Sequence, residues 1–153
     1  MKAADIMSRD VITVTPSTTV REIADILKAQ HISGLPVTEG EDVVGIVSEE
    51  DIIFRDASLR LPAFIQILDG IIFLEGLQHY EEAIRKMAGM RAADIMTREV
   101  ISVDPHTPVR EIADLMVTHD INRVPVIAEG ILIGIITRAD IVRYAAGRSV
   151  IID

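Results

Sequence analysis

The sequence contains no cysteine and no tryptophan, and it has only two tyrosines and three phenylalanines among 153 residues. Without cysteine, the chain forms neither disulfides nor thiolate metal sites. Because aromatic residues make up only 3% of the chain, aliphatic side chains must build the core, which suits mixed strand and helix packing. Hydrophobic residues still reach 49%, a usual globular share, so the composition argues against disorder.

Basic residues are in the minority, with 15 lysines and arginines against 24 acids and a formal net charge of −9. An acidic surface repels phosphate backbones, so nucleic acid is an unfavourable main partner, although a local basic patch can override net charge. Long apolar segments are lacking too. The start of the chain has no signal-peptide pattern, and the most apolar run, Leu61 to Leu74, is interrupted by Pro62 and Asp69. These absences predict a soluble, cytoplasmic protein without membrane contact.

An internal repeat with a constant offset of 89 positions dominates the sequence. Ala3 to Arg9 (AADIMSR) returns as Ala92 to Arg98 (AADIMTR), and Val20 to Asp25 (VREIAD) returns unchanged as Val109 to Asp114. The chain is therefore a duplicated unit of roughly fifty residues with an insert between the copies. Neither copy is large enough to bury its apolar faces alone, so we expect the copies to pack about a pseudo-two-fold axis.

Each copy predicts the order strand, helix, strand, strand, helix, which is an α/β arrangement. The first strand is the β-prone run Val11 to Val14 in one copy and 100–103 in the other. A helix with one apolar face follows; Thr18 and Thr107 stand where an N-cap belongs, with Pro108 at the first helical position. Two strands then flank a short turn, and the closing helix begins directly after the second of them.

The insert, residues 56–91, is less regular. Its last part, Gln78 to Met90, predicts a helix with its apolar residues on one side. Two roles remain open for the insert, namely a connector that covers the core and a contact surface in a dimer.

The end of each copy places an apolar strand, a hydroxyl residue and an acid that opens a helix in direct succession. The stretch runs from Gly45 to Ile52 in the first copy and from Gly134 to Ile141 in the second. This order aims a hydroxyl, free backbone N–H groups and one carboxylate at a common point. The duplicated pattern therefore predicts two binding sites for a polar ligand with hydroxyls and negative charge.

Three motifs recur in order in both copies: Asp-Ile-Met-[Ser/Thr]-Arg at the start, x-Pro-Val in the middle, and Gly-Ile-x-[Ser/Thr]-x-x-Asp-Ile at the close. They resemble the motifs of CBS domains, and two such domains in tandem resemble the CBS pair, or Bateman module. The resemblance covers residues 3–53 and 92–145. It implies tandem α/β motifs, motif 1 at 1–55 and motif 2 at 92–153, with two clefts between them.

The resemblance also implies a ligand, because CBS pairs commonly bind adenosyl compounds such as AMP, ADP, ATP or S-adenosylmethionine as regulatory ligands. In the family, the closing Asp usually takes the ribose hydroxyls and the nearby Ser or Thr assists, while the partner motif's first strand and x-Pro-Val segment flank the adenine. The chemistry fits, since a carboxylate accepts two hydrogen bonds from a cis-diol and a hydrocarbon slot accepts a planar base. By position, one cleft would use Ser48, Asp51, Ile101, Arg123, Val124 and Pro125, and the other would use Thr137, Asp140, Ile12, Gly34, Leu35 and Pro36.

The two clefts differ in charge. Arg123 stands where many family members carry a phosphate-binding arginine, and its counterpart in the first copy is Gly34. Two glutamates precede the closing aspartate in the first copy, whereas Arg138 stands before it in the second and is another phosphate candidate. These differences do not rank the two clefts.

Simpler interpretations stand beside these. Each closing aspartate also fits as an acid that stabilises a helix start, by about 0.3–1 kcal/mol. The histidines are scattered, so no metal site is expected. The sequence has no nucleophile elbow or glycine-rich phosphate loop, so we expect no enzyme and no catalytic cofactor.

The sequence thus predicts a stand-alone regulatory module that senses an adenosyl ligand and signals to a protein partner. By resemblance, two chains associate into a flat, disc-like homodimer of four motifs. The alternatives are a structural or interaction module without a ligand and, less favoured by the negative charge, a nucleic-acid-binding protein.

Overall fold

The computed structural model describes residues 1–54 and 89–149. Most of the predicted helix Gln78 to Met90, like most of the insert, lies outside these residues.

Within the described residues, both repeats have the same order of elements: helix, helix, strand, strand, helix. The helices are α1 (Ala3–Ile6), α2 (Val20–Gln30), α3 (Glu49–Phe54), α4 (Ala92–Ile95), α5 (Val109–Thr118) and α6 (Arg138–Ser149). The strands are β1 (Gly34–Glu39), β2 (Asp42–Ser48), β3 (Arg123–Ala128) and β4 (Ile131–Thr137). β1 pairs with β2, and β3 pairs with β4. The predicted α/β repeat is therefore confirmed, with short helices α1 and α4 as additions that the sequence patterns did not predict.

The strand pair β3–β4 is antiparallel and places Arg123 opposite Thr137 and Pro125 opposite Ile135. A register irregularity follows Val126. The turn that joins the strands contains Gly130 with φ +79°, a left-handed conformation that glycine adopts without steric penalty. This register brings the end of β4 beside the beginning of β3.

The first strand of each repeat is shorter than predicted. Val14 forms a single parallel bridge with Val37; the Val14 N–H donates to the carbonyl of Pro36 (3.2 Å), and the Thr38 N–H donates to the carbonyl of Val14 (2.8 Å). Val103 forms the equivalent bridge in the second repeat. Val14 faces Val37, and the residue before Val37 in β1 is Pro36, whose carbonyl accepts but which has no N–H to donate. The ladder therefore cannot extend past this proline.

The helix caps lie one residue later than predicted. Thr19 is the N-cap of α2, where its side chain accepts a hydrogen bond from the Glu22 N–H (3.2 Å). Pro108 occupies the N-cap position of α5, not the first helical position, and supplies no side-chain cap. Thr18 and Thr107 each accept a hydrogen bond at 3.1 Å from the backbone N–H three residues earlier. Their hydroxyls therefore stabilise the turn that leads into each helix.

The chain divides into two compact units, each of which combines parts of both repeats. Unit 1 comprises Met1–Ile12, Gly40–Asp42 and Val100–Asp153, and unit 2 comprises Thr13–Glu39 and Val43–Glu99. The first arm, Met1–Ile12, thus belongs with the second repeat. The second arm, residues 89–99, belongs with the first repeat. The motif boundaries predicted at 1–55 and 92–153 follow the repeats of the sequence and stay a prediction.

Backbone hydrogen bonds hold the first arm within unit 1. The Ala3 N–H donates to the carbonyl of Thr107 (2.8 Å), beside the start of α5. Farther along, Ser8 and Ile135 of β4 exchange two hydrogen bonds of 2.9 and 3.0 Å. The arm therefore adds a short antiparallel bridge to the edge of the β3–β4 pair.

The second arm makes the same contacts within unit 2. The Ala92 N–H donates to the carbonyl of Thr18 (2.8 Å), and Thr97 exchanges two hydrogen bonds of 2.9 and 3.0 Å with Ile46 of β2. Because the duplicated arms AADIM-Ser/Thr-Arg make duplicated contacts, their repetition in the sequence reflects a repeated packing role.

Each unit buries branched aliphatic side chains, as the low aromatic content predicts. The core of unit 1 contains Ala3, Val103, Ile112, Met116, Val124, Val126 and Ile136. The predicted apolar face of α2 is buried at Val20, Ile23, Ala24 and Leu27 in unit 2. The equivalent face of α5 is buried at Val109, Ile112 and Met116, with Ala113 half-buried. The 3.6-residue period therefore identified the buried helix faces correctly.

Candidate functional site

In the first repeat the site begins where β2 ends at Ser48 and α3 starts. The Ser48 N–H donates to Asp51 Oδ2 (2.8 Å), and the Ser48 hydroxyl donates to the same oxygen (3.1 Å). In return, the Asp51 N–H approaches Ser48 Oγ at 3.4 Å. This reciprocal arrangement is a capping box, which forms because an acid three residues after a Ser or Thr reaches back across the first helical turn.

The second repeat builds the same turn between β4 and α6. The Thr137 N–H and hydroxyl both donate to Asp140 Oδ2, at 2.8 and 3.0 Å. In both repeats one carboxylate oxygen is thus held by a backbone N–H and a hydroxyl. Such bonds fix the orientation of the carboxylate before any ligand arrives.

A capping bond alone does not identify a ligand site, because two other aspartates make one. Asp5 and Asp94 accept hydrogen bonds of 2.8 Å from the backbone N–H three residues earlier, at the starts of α1 and α4. Both of these residues are exposed, whereas Asp51 and Asp140 are half-buried and each has a hydroxyl as an additional donor. The hydroxyl and the partial burial therefore distinguish the candidate sites from ordinary helix caps.

Asp140 has a further partner that the sequence interpretation missed. Arg143 Nη2 donates to Asp140 Oδ1 at 2.7 Å, and the side chains are 77% and 12% exposed, respectively. The two residues lie three apart on α6, a spacing that places them on one face of the helix. The corresponding residue of the first repeat is Phe54, which has no charge. The pair could therefore have been predicted from the sequence, because the arginine lies three residues after the repeated aspartate.

Arg123, a predicted phosphate ligand, lies at the start of β3 and is only 7% exposed. Its partner in the strand register is Thr137, so within unit 1 its backbone lies beside the Thr137–Asp140 turn. The family resemblance assigns Arg123 to the set that contains Ser48 and Asp51. That assignment stays a prediction.

Arg138, the other phosphate candidate, is engaged away from the aspartate. Its Nη2 lies 3.2 Å from Asp120 Oδ1, and its Nε donates to the carbonyl of Ile121 at 3.2 Å. The Arg138 side chain is 52% exposed. An exposed pair of this kind contributes little to stability, so Arg138 is able to exchange partners at low cost.

The remaining predicted site residues are mostly buried. Some of the predicted site residues belong to unit 1 and the others to unit 2. Gly34, Leu35, Pro36, Val124 and Pro125 are buried, whereas Ile12 and Ile101 are half-buried. Unit 2 contains Gly34, Leu35, Pro36, Ser48 and Asp51, and unit 1 contains Ile12, Ile101, Arg123, Val124, Pro125, Thr137, Arg138 and Asp140. Each predicted set therefore draws residues from both units, and its assembly into one cleft stays a prediction.

Within residues 1–54 and 89–149, no group of three or more His, Asp or Glu side chains is arranged to hold a metal ion. Over the same residues, no helix has the length and apolar character needed to cross a membrane.

The model of the CBS domain family matches residues 3–58 and 92–147. The chain therefore belongs to the CBS domain family, with one copy of the domain in each repeat.

Known proteins resemble the chain over nearly its whole length. MJ1225, an uncharacterized protein of Methanocaldococcus jannaschii, is 31% identical over 143 residues, which cover 93% of this chain and 46% of that protein. The structure of CBSX2 in complex with AMP has a TM-score of 0.70 and 28% identity, over 95% of this chain and 97% of that one; CBSX2 is a CBS-pair protein from Arabidopsis thaliana. The CBS domain pair of MJ0100, in complex with 5′-methylthioadenosine and S-adenosyl-L-methionine, has a TM-score of 0.70 and 26% identity. The match covers 97% of this chain and 98% of that one.

These matches differ in how much of the relative they cover. The chain spans about half the length of MJ1225, but nearly all of the CBSX2 and MJ0100 chains. The CBS pair thus makes up nearly the whole crystallised chain in these two structures and about half of MJ1225.

Proposed function

We propose that the chain is a non-catalytic regulatory module that binds an adenosyl ligand, such as AMP, ADP, ATP or S-adenosylmethionine, at Asp51 and Asp140. The observation that carries the proposal is the duplicated turn in which a Ser or Thr holds one oxygen of a half-buried aspartate. The CBSX2 and MJ0100 complexes support the ligand class. AMP, 5′-methylthioadenosine and S-adenosylmethionine all contain an adenosine with a free ribose cis-diol.

The chemistry of the turn suits that diol. Backbone and hydroxyl donors occupy Oδ2 of each aspartate and leave acceptor capacity on the carboxylate. Two ribose hydroxyls that donate to a carboxylate form charge-assisted hydrogen bonds, which are the strong class in proteins. Because the carboxylate is already oriented, the ligand loses little affinity to ordering it.

The other predicted residues complete the proposed sites. Ile101, Val124 and Pro125 flank the adenine in the site of Asp51, and Ile12, Leu35 and Pro36 flank it in the site of Asp140. Arg123 and Arg138 are the proposed phosphate ligands, and Arg138 leaves Asp120 for this role.

In this proposal the ligand acts by population shift. It stabilises one arrangement of the two motifs, and a protein partner responds to that arrangement. A sensor of metabolite levels needs a dissociation constant in the micromolar to millimolar range, or about −8 to −4 kcal/mol. The module is proposed to act in the cytoplasm and to form a homodimer. Light scattering coupled to gel filtration measures the oligomeric state directly.

Isothermal titration with AMP, ATP and S-adenosylmethionine tests the binding sites. We expect Asp51→Ala and Asp140→Ala each to remove one site, and the double variant to lose binding. Hydrogen bonds to a charged group are worth about 1.5–3 kcal/mol each, so the loss of two should weaken binding by a hundredfold or more, roughly.

The matched control is the double variant Asp5→Ala and Asp94→Ala. These aspartates make the same bond to a backbone N–H but lie outside the proposed sites. The control should bind like the wild type, and circular dichroism should confirm that all variants are folded. A double variant at Asp51 and Asp140 that titrates like the wild type would contradict the proposed sites.

A further inference from the structure

The two candidate aspartates differ in how much of their acceptor capacity is already used. A carboxylate offers about four acceptor positions. Asp140 uses three of them, for the Thr137 N–H, the Thr137 hydroxyl and Arg143 Nη2. Among the described residues, Asp51 uses two, for the N–H and the hydroxyl of Ser48.

A ribose cis-diol brings two more donors, so the two sites respond differently. At Asp51 the donors from the described residues and the diol together number four, so the diol fits without displacing a described partner. At Asp140 the three present donors and the two diol hydroxyls together number five, one more than the carboxylate accepts, so one donor must leave.

Arg143 is the donor that leaves most easily. The Thr137 N–H and hydroxyl are fixed by the turn, whereas the Arg143 side chain is 77% exposed and returns to water when released. Exposed ion pairs contribute little, so water compensates most of the lost bond. The released guanidinium remains on α6, next to the bound ligand.

The charged residues of the two helices also distinguish the two sites. The helix that carries Asp51 begins with Glu49 and Glu50, and no basic residue lies in its last turn. The helix that carries Asp140 begins with Arg138 and Ala139 and includes Arg143. The residues of the first helix start therefore repel a phosphate and those of the second attract it, so that in the Asp51 site a phosphate would depend on Arg123 of β3.

We infer that Arg143 is a specificity-determining residue, which makes the Asp140 site select adenosyl ligands with a negative charge. The inference rests on the proposed function and adds a selectivity to one of its two sites. When an anionic ligand binds, the released guanidinium exchanges its bond to Asp140 for one to the phosphate. A neutral ligand displaces Arg143 without replacing that bond. The Asp51 site has no arginine at this position and lacks this selectivity.

The test compares AMP with 5′-methylthioadenosine, which carries no phosphate, by isothermal titration in an Asp51→Ala variant of the 153-residue chain. That background retains only the Asp140 site. We compare Arg143→Met, which keeps the aliphatic length but removes the donors, with Arg143→Lys, which keeps the charge. The control is Arg110→Met, an exposed arginine of α5 in the same unit.

Arg143→Met should weaken AMP binding by about tenfold, the effect of one lost charge-assisted hydrogen bond. It should leave 5′-methylthioadenosine binding unchanged or slightly tighter, because the diol no longer has a donor to displace. Arg143→Lys should fall between Arg143→Met and the parent for AMP, and Arg110→Met should match the parent for both ligands. If Arg143 had only a structural role, its replacement by methionine would weaken the binding of both ligands.

The failures are distinguishable. If the wild-type chain binds no adenosyl ligand, the proposed function fails and this inference fails with it. If the wild type binds but the Asp51→Ala protein does not, the proposed Asp140 site fails together with this inference, while the Asp51 site stands. If Arg143→Met changes the affinity for both ligands equally, only this inference is overturned. Unchanged melting temperatures would exclude unfolding as the cause, and Arg143→Lys tests the role of the charge with a smaller change.

Discussion

Replacing Gly134 of β4 by alanine should destabilise the protein, because the side chain of Met7 occupies the place of the new methyl group. An alanine Cβ would lie 2.8 Å from Met7 Cγ and 3.1 Å from Met7 Cβ, with Met7 Sδ nearer still. Carbon atoms pack at about 3.5–4.0 Å, so the methionine must move. It cannot move freely, since the next residue, Ser8, is bonded to Ile135 in both directions.

The expected penalty follows from this overlap. Adding a methyl group to a well-packed contact costs about 1–3 kcal/mol, and we expect Gly134→Ala to lower the free energy of unfolding by that amount. Met7→Ala removes the obstructing atoms, so the added methyl should be tolerated in the double variant. A double-mutant cycle should therefore give a coupling free energy of about 1–3 kcal/mol. Urea denaturation followed by circular dichroism measures all four proteins.

Two further substitutions sharpen the test. Gly147→Ala, within α6, meets no atom within 4 Å and should stabilise the helix by about 0.5–1 kcal/mol, so the same change has the opposite sign. Gly45→Ala should repeat the penalty in unit 2, where the new Cβ would lie 2.8 Å from Met96 Cγ. The packing argument would be refuted if Gly134→Ala left the free energy of unfolding unchanged, or if it lowered that free energy equally in the Met7→Ala background.

Two other predictions use the same denaturation assay. Thr19→Ala removes the side-chain cap of α2 and should cost about 1 kcal/mol, whereas Thr19→Ser keeps the oxygen and should cost much less; equal losses would count against the cap. Gly130→Ala places a side chain at φ +79° with open space around it, so its cost of about 1–2 kcal/mol should come from the backbone alone. Gly130→Asn should be milder because asparagine tolerates this conformation, and an Asn variant as unstable as the Ala variant would argue against this explanation.

The sequence was most informative where the deciding interactions are local. Hydrophobic spacing identified the buried face of α2, and the pattern of apolar residues and turns located β1 to β4. The hydroxyl and aspartate of each candidate site also converge as predicted, because a capping box joins residues three apart and needs no distant partner. The Arg143–Asp140 pair is equally local, but the first copy has Phe54 at the equivalent position, so the pair is not part of the duplicated pattern.

Other local predictions were changed by neighbours in space. Val11 to Val14 has strong β propensity, yet only Val14 pairs, because the facing strand offers Pro36. Thr18 looked like the cap of α2, but it stabilises the preceding turn, and Thr19 caps the helix. In both cases propensity indicated the kind of structure, and the hydrogen-bond partner decided its extent.

The partners of the two arms were decided by tertiary structure alone. The repeated AADIM sequence shows that both arms matter, but each arm bonds to residues of the other repeat, such as Ser8 to Ile135 and Thr97 to Ile46. No periodicity within an arm encodes a partner so far away along the chain. The close approach of Met7 to Gly134 exists only after the arm has paired with β4. Sequence order therefore determined the elements and the local site geometry, whereas long-range backbone pairing determined which segments form each compact unit.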